Sequence, residues 1–196
     1  MVKKITKFKI IEHFLADYGR RYYIRELASI LKKPHQTIKP YLEALVKEGI
    51  LTKNIRKNVT EYSINFKDKR MYDYLVIAEK EKLIERLQND TYLMILFEKL
   101  SVFFRDDTFI IFGSAVDKIQ EGSDIDLLVI GKQNTAMQIA DFEKIYNKNV
   151  HKIQVKNLES PNLTFIKEIY KKHLIFNNTE DVIRFFGSLY EQNKLV

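Results

Sequence analysis

Two aspartates at the head of an apolar run constrain this chain more than any other feature. Asp124 and Asp126 are separated by one isoleucine, and residues 127–130 are all apolar. Successive side chains of a strand point to opposite faces, so a strand at 124–130 would direct both carboxylates to the same face. Burying two carboxylates without a counter-charge is costly, so the pattern requires something that offsets it, such as a bound cation.

A glycine–serine pair lies upstream of the acids. Gly113 and Ser114 directly follow the mostly apolar segment TFIIF at 108–112, which predicts a second strand. Glycine lets backbone amides approach a phosphate, while paired carboxylates form a hard-oxygen site suited to Mg²⁺ or Mn²⁺. The combination predicts a nucleoside triphosphate on the turn and its metal on the acids. The alternative is an inherited site that now binds little.

The stretch FGSAVDKIQEGSDIDLLV, residues 112–129, resembles the signature of the polymerase-β-type nucleotidyltransferases, in particular the minimal nucleotidyltransferases. The resemblance implies Mg²⁺ or Mn²⁺ as cofactor and a nucleoside triphosphate as substrate. It implies Asp124 and Asp126 as catalytic metal ligands, and Gly113, Ser114, Lys118 and Ser123 as nucleotide-binding residues.

A third acid is expected on a later strand, because active members of this family place one there between two apolar residues. The predicted strand at 150–155 offers the triplet Ile153-Gln154-Val155, so neutral Gln154 is expected at that position. His151 on the same strand is interpreted as structural and not as a ligand. With two acids only, nucleotide binding is expected, and transfer activity is left open.

The N-terminal third of the chain is strongly basic. Residues 1–67 hold 15 Lys and Arg against 6 Asp and Glu, within a chain of net charge +7. Such an asymmetry favours a polyanionic partner, although a lysine-rich surface kept for solubility gives the same count. Helical periodicity followed by an alternating hairpin pattern predicts two helices, a turn, a further helix and two strands.

This order resembles the winged helix-turn-helix of many bacterial and archaeal regulators, carried by the stretch at 24–51. The resemblance implies that the helix after the turn enters the DNA major groove and that the hairpin contacts the backbone. The implied DNA-binding residues are His35, Gln36, Thr37 and Lys39 on the helix, and Lys53, Arg56 and Lys57 on the hairpin. The alternative is a protein-binding winged helix with solvated lysines.

The predicted fold class is α+β, with a winged helix-turn-helix at 1–67, a helical linker at 68–89 and a nucleotidyltransferase-like α/β domain with a small mixed sheet at 90–196. The absence of cysteine excludes disulfides and cysteine-based zinc sites. The chain has no signal-peptide pattern and no membrane-spanning apolar run, so a cytoplasmic location is expected.

Three functions fit these features. One is a DNA-binding enzyme that transfers a nucleoside monophosphate to an unknown acceptor. Another is a transcriptional regulator whose nucleotidyltransferase-like domain only senses nucleotide or mediates assembly, with a homodimer as one option. The family resemblance also allows an antitoxin with a helical toxin partner, although the attached winged helix weakens that interpretation.

Overall fold

The computed structural model describes residues 5–56, 59–120 and 122–195. The chain forms two compact units, which divide between Ala78 and Glu79. This division lies inside one helix, α4, which runs from Met71 to Asn89 and corresponds to the linker helix predicted at 68–89.

The first unit combines short helices with a small antiparallel sheet, in the strand order β1-β3-β2. The hairpin of β2 and β3 is paired from Leu51 opposite Ile64 to Arg56 opposite Val59. The elements that precede α4 are α1 (Lys7–Ile11), β1 (Tyr22–Tyr23), α2 (Ile24–Leu31), α3 (His35–Lys47), β2 (Leu51–Arg56) and β3 (Val59–Ile64).

Helix α3 is amphipathic, which fixes the face it presents to solvent. Ile38, Leu42 and Leu45 recur at helical spacing and are fully buried. Gly49 ends the helix region at φ +79°, a left-handed conformation that favours glycine. The residues that surround Ile38 in the first turns are therefore exposed.

The second unit contains a four-stranded sheet and helices on both of its faces. The predicted strand at 150–155 is found with the same bounds, and Asp90 caps the helix Thr91–Leu100 by accepting a hydrogen bond from the Leu93 amide. The elements after α4 are α5 (Thr91–Leu100), β4 (Thr108–Phe112), β5 (Ile125–Ile130), α6 (Ala136–Tyr146), β6 (Val150–Val155), α7 (Leu163–Lys171), β7 (His173–Ile175) and α8 (Thr179–Glu191).

The sheet of the second unit is mixed, as expected from the sequence. Its strand order is β6-β5-β4-β7. Strands β5 and β6 pair in parallel, whereas β4 pairs antiparallel with both β5 and β7. A single 3-10 turn, Gly113–Val116, links β4 to the loop before β5.

Both faces of this sheet are largely apolar, and one of them also carries an acid. One face carries Ile125, Leu127 and Val129, which belong to a buried cluster with residues of α5 and α6. The opposite face carries Asp126, because strand neighbours alternate. We call this second surface the acid face. Along the described ranges, no helix combines the length and the apolar character that crossing a membrane requires.

Candidate active site

Asp126 lies at the centre of the acid face, near the start of β5. It pairs with Phe112 of β4 on one side and with His151 of β6 on the other. Cross-strand partners share a face, so these three side chains lie next to one another. The Asp126 side chain is 31% exposed, which leaves its carboxylate within reach of a ligand.

The turn after β4 approaches Asp126 very closely. Gly113 has φ +70°, and a Cβ atom at this position would lie 2.7 Å from Oδ2 of Asp126. A side chain there would be strained by the backbone conformation and would displace the carboxylate. Glycine at 113 is therefore required by the close approach of the turn to the acid.

The remaining carboxylate oxygen of Asp126 faces a histidine. Nδ1 of His151 lies 3.2 Å from Oδ1 of Asp126. The other acid is oriented by a different residue of the same region, because Nδ2 of Asn149 donates to Oδ1 of Asp124 over 3.1 Å. Asn149 directly precedes β6, and His151 is the second residue of this strand, so both acids are contacted from the start of β6.

The other predicted nucleotide-binding residues lie in the turn and in the loop that follows. Ser114 is exposed beside Gly113. Ser123 stabilises the loop itself, since its hydroxyl donates to the carbonyl of Gln120 and accepts from the Gln120 amide. Lys118 is exposed and lines an open depression of about 780 Å³ together with Tyr92. Ser114 and Lys118 are thus open to solvent, whereas the hydroxyl of Ser123 is engaged within its own loop.

Sequence reasoning missed a residue that holds the turn in place. Arg86, near the end of α4, donates from Nε to the carbonyl of Val116 over 2.6 Å and from a terminal nitrogen to that of Ala115 over 3.3 Å. The same guanidinium pairs with Asp90 over 3.0 Å. Asp90 in turn accepts the amide of Ile119 over 3.3 Å. An arginine in a charged helix gives no sequence signal for this role.

The structure corrects the expectation about Gln154. Parallel pairing places Gln154 opposite Val129, whose side chain belongs to the buried cluster on the other face of the sheet. Its amide donates to the carbonyls of Gly131 and Gln133, over 3.3 and 3.0 Å. Gln154 therefore does not face the acids, and the β6 residue that does so beside Asp126 is His151.

The acids at the start of β5 are donors suited to a divalent cation. Throughout the described ranges, no three His, Cys, Asp or Glu side chains are grouped so as to hold a metal by themselves. The carboxylates of Asp124 and Asp126 are nevertheless hard-oxygen donors, and the Gly113 turn closely approaches the carboxylate of Asp126. Such a pair fits a cation that takes its remaining ligands from water and from nucleotide phosphates.

The predicted DNA-binding residues of α3 lie on its exposed side. His35, Gln36, Thr37 and Lys39 are exposed around buried Ile38. On the hairpin, Lys53 is paired with Glu43 over 2.8 Å. Lys57 and the side chain of Arg56 lie outside the described residues.

Comparison with known families supports the nucleotidyltransferase prediction for part of the chain. The family model described as polymerase beta, nucleotidyltransferase, matches residues 96–181. This range contains the Gly113 turn, both acids and β6, and it lies entirely within the second unit. Residues 96–181 thus have the features of a nucleotidyltransferase domain.

A crystal structure of Pseudomonas aeruginosa HmgR is similar at 15% sequence identity and a TM-score of 0.28, covering 80% of this chain. This chain covers 53% of that one, about half of its length, and so low a score carries no argument about fold or function. No curated protein matches the chain.

Proposed function

We propose that the second unit binds a nucleoside triphosphate with a divalent cation and transfers its nucleoside monophosphate to a hydroxyl acceptor. The observation that carries this proposal is the direct contact between the Gly113 turn and the carboxylate of Asp126. The family match over residues 96–181 supports the same chemistry. A turn suited to phosphate and an acid suited to a metal ion therefore lie side by side, which supports the proposal.

The residues of the site suit this reaction in separate ways. Asp124 and Asp126 would hold the cation, which supplies positive charge to the phosphate oxygens during transfer. Ser114, exposed beside the turn, offers a hydroxyl and a backbone amide to the triphosphate. The acceptor oxygen would form a bond to the α-phosphorus, and the bond from the α-phosphorus to the oxygen that bridges to the β-phosphate would break. Pyrophosphate would leave, and the hydroxyl proton would pass to water.

Nucleotide binding and transfer are tested separately. Mg²⁺ or Mn²⁺ with ATP should raise the melting temperature, because a ligand that binds only the native state stabilises it. Replacing both acids, Asp124→Asn and Asp126→Asn, should abolish this shift. Transfer is followed with NTPs labelled at the α-phosphate and with protein and nucleic-acid acceptors. The absence of any thermal shift in the wild type would refute the proposal.

A second candidate is a nucleotide-binding domain without turnover. It is favoured by the β6 residue beside Asp126, which is His151 where the active family members are expected to carry an acid. In this case the cation and ATP still raise the melting temperature, and no labelled product forms with any acceptor. The same pair of measurements thus separates the enzyme from the sensor.

We further propose that the first unit is a winged helix that binds duplex DNA through α3 and the β2–β3 hairpin. The support is the helix, turn, helix and hairpin order, together with the exposed polar side chains at the start of α3. Neutralising phosphates releases condensed counterions, so binding should weaken steeply with salt. A gel-shift assay over a salt series tests this, and salt-insensitive or absent binding to every duplex, including the promoter of its own gene, would refute it.

A further inference from the structure

The acid face of β6 is defined by its pairing with β5. Asp126 lies opposite His151, and Leu128 lies opposite Ile153. These residues share one face with Asp126, whereas Lys152 and Gln154 lie on the other. His151 is thus the β6 side chain with a metal-binding atom directly beside Asp126, contrary to its interpretation from sequence as a structural residue.

The spacing of the two side chains suits a shared cation. Nδ1 of His151 and Oδ1 of Asp126 are 3.2 Å apart. Two ligand atoms at about 2.1 Å from one ion are about 3.0 Å apart at a right angle and about 3.4 Å apart at a tetrahedral angle. The observed separation lies between these values, so one ion can contact both atoms without a large movement of either side chain.

Access to this pair is open on the histidine side. The His151 side chain is 62% exposed, whereas Asp126 is 31% exposed. The other carboxylate oxygen of Asp126 is directed at the Gly113 turn. A cation at Oδ1 would therefore lie beside the imidazole, on the same carboxylate that approaches the proposed triphosphate turn, and phosphate oxygens could complete its ligand shell.

The chemistry of this donor pair differs from that of carboxylates alone. Mg²⁺ prefers oxygen ligands, whereas imidazole suits transition metals, and the affinity of nitrogen and oxygen sites rises from Mn²⁺ towards the later divalent ions. A histidine beside Asp126 therefore favours a divalent transition metal over Mg²⁺. An aspartate at the same position would favour Mg²⁺.

We propose that His151 is a ligand of the divalent cation held at Asp126, and that it makes the site selective for a transition metal over Mg²⁺. This inference rests on the proposed nucleotide-dependent cation site and specifies which cation that site takes. It concerns binding, and it holds for an enzyme and for a nucleotide sensor alike.

The test uses the full chain, Mn²⁺ as the probe and a non-hydrolysable ATP analogue. Pulsed EPR of the bound Mn²⁺ should show coupling to an imidazole nitrogen in the wild type, and His151→Ala should remove it. Titration calorimetry should show Mn²⁺ affinity falling about tenfold or more in this variant, since a ligand is lost. The high exposure of His151 means that its replacement leaves the core intact.

Two further variants provide a matched comparison. His151→Asp places a carboxylate beside Asp126 and should raise the affinity for Mg²⁺ relative to Mn²⁺. Gln154→Asp introduces the same group on the same strand but on the opposite face, and it should leave both affinities unchanged. Equal effects of the two aspartates would contradict the assignment of His151.

The outcomes separate this inference from the function on which it rests. If Mn²⁺ binds with the ATP analogue but shows no nitrogen coupling, His151 is not a ligand, and the proposed nucleotide site stands. If neither cation binds with the analogue, both the inference and the proposed function fail.

Discussion

Nε of Arg86 donates to the backbone carbonyl of Val116 over 2.6 Å, which joins the end of helix α4 to the turn that carries Gly113. The side chain is only 16% exposed, and its second partner, Asp90, is 8% exposed. The guanidinium of Arg86 therefore supports the turn from a helix that the sequence presents only as a charged linker.

Replacing this arginine should loosen the turn. Arg86→Met keeps much of the apolar stem but removes a donor from two carbonyls and the counter-charge from Asp90, so it should cost about 2–3 kcal/mol. Hydrogen exchange at residues 113–119, with urea unfolding, measures the loss. Arg86→Lys keeps the charge but lacks the planar guanidinium, so its loss of stability should be intermediate. Wild-type protection of this segment in Arg86→Met would contradict the proposed support.

Two glycines offer a controlled test of the contact with Asp126. Gly113 and Gly122 have similar positive φ values of +70° and +74°. A Cβ at Gly113 would lie 2.7 Å from Asp126, whereas one at Gly122 would meet nothing within 4 Å. Gly113→Ala and Gly122→Ala should each lose about 1 kcal/mol of stability from backbone strain.

Only Gly113→Ala should also weaken binding of Mn²⁺ with ATP, by about tenfold or more, because it displaces a ligand carboxylate. Calorimetric titration of both variants measures this difference. Equal losses of affinity in the two variants would mean that backbone strain, and not the contact with Asp126, governs the site.

The strands that form the site could be predicted because their signals are local. The run after Asp126 and the segment at 150–155 are apolar enough to give β5 and β6 nearly their observed bounds. The capping role of Asp90 is local as well, since an aspartate before a helix accepts amide hydrogen bonds of its first turn.

The orientation of Gln154 could not be predicted in this way. A triplet of apolar, polar and apolar residues shows that the middle side chain points away from its neighbours, but not which face of the sheet it joins. That face is set by pairing with β5, where Gln154 meets Val129 and His151 meets Asp126. The contacts of Arg86 depend equally on tertiary packing, which leaves no trace in residue spacing.

His173 should make the second unit sensitive to acid. It is 1% exposed, and burial, with a smaller contribution from Lys82, lowers its pKa from 6.5 to about 3. The unfolded chain takes up a proton at His173 near pH 6.5, while the buried imidazole of the folded chain stays neutral. The free energy of unfolding is therefore highest above pH 6.5 and falls as the pH decreases towards 3. The loss between pH 7.5 and 5.5 should be about 1.4 kcal/mol.

His173→Asn should reduce this dependence of stability on pH, because the asparagine side chain is not protonated in this range. Burial raises the pKa of nearby Glu79, which contributes in the opposite direction, so the wild type and the variant must be compared at both pH values. Global hydrogen exchange of peptides from residues 79–195 measures the stability of this unit. Identical slopes in the two proteins would exclude His173 as the source.

Basic residues at the two ends of α3 should differ in their effect on DNA binding. Lys39 lies in the first turns of the helix beside exposed Gln36, whereas Lys47 is exposed at its last residue. Eight residues of helix separate these lysines by about 12 Å. If the start of α3 enters the major groove, Lys39→Ala should weaken binding to all duplexes and reduce the salt slope by about one.

Gln36→Ala should instead change the preferred sequence, since an amide reads base edges and not phosphates. Lys47→Ala removes the same charge as Lys39→Ala and serves as its control, with an unchanged salt slope expected. Fluorescence anisotropy over a salt series, followed by selection from a random duplex pool, measures both effects. Equal slopes for Lys39→Ala and Lys47→Ala would indicate a diffuse interaction with the net positive charge, because a docked helix start distinguishes between the two lysines.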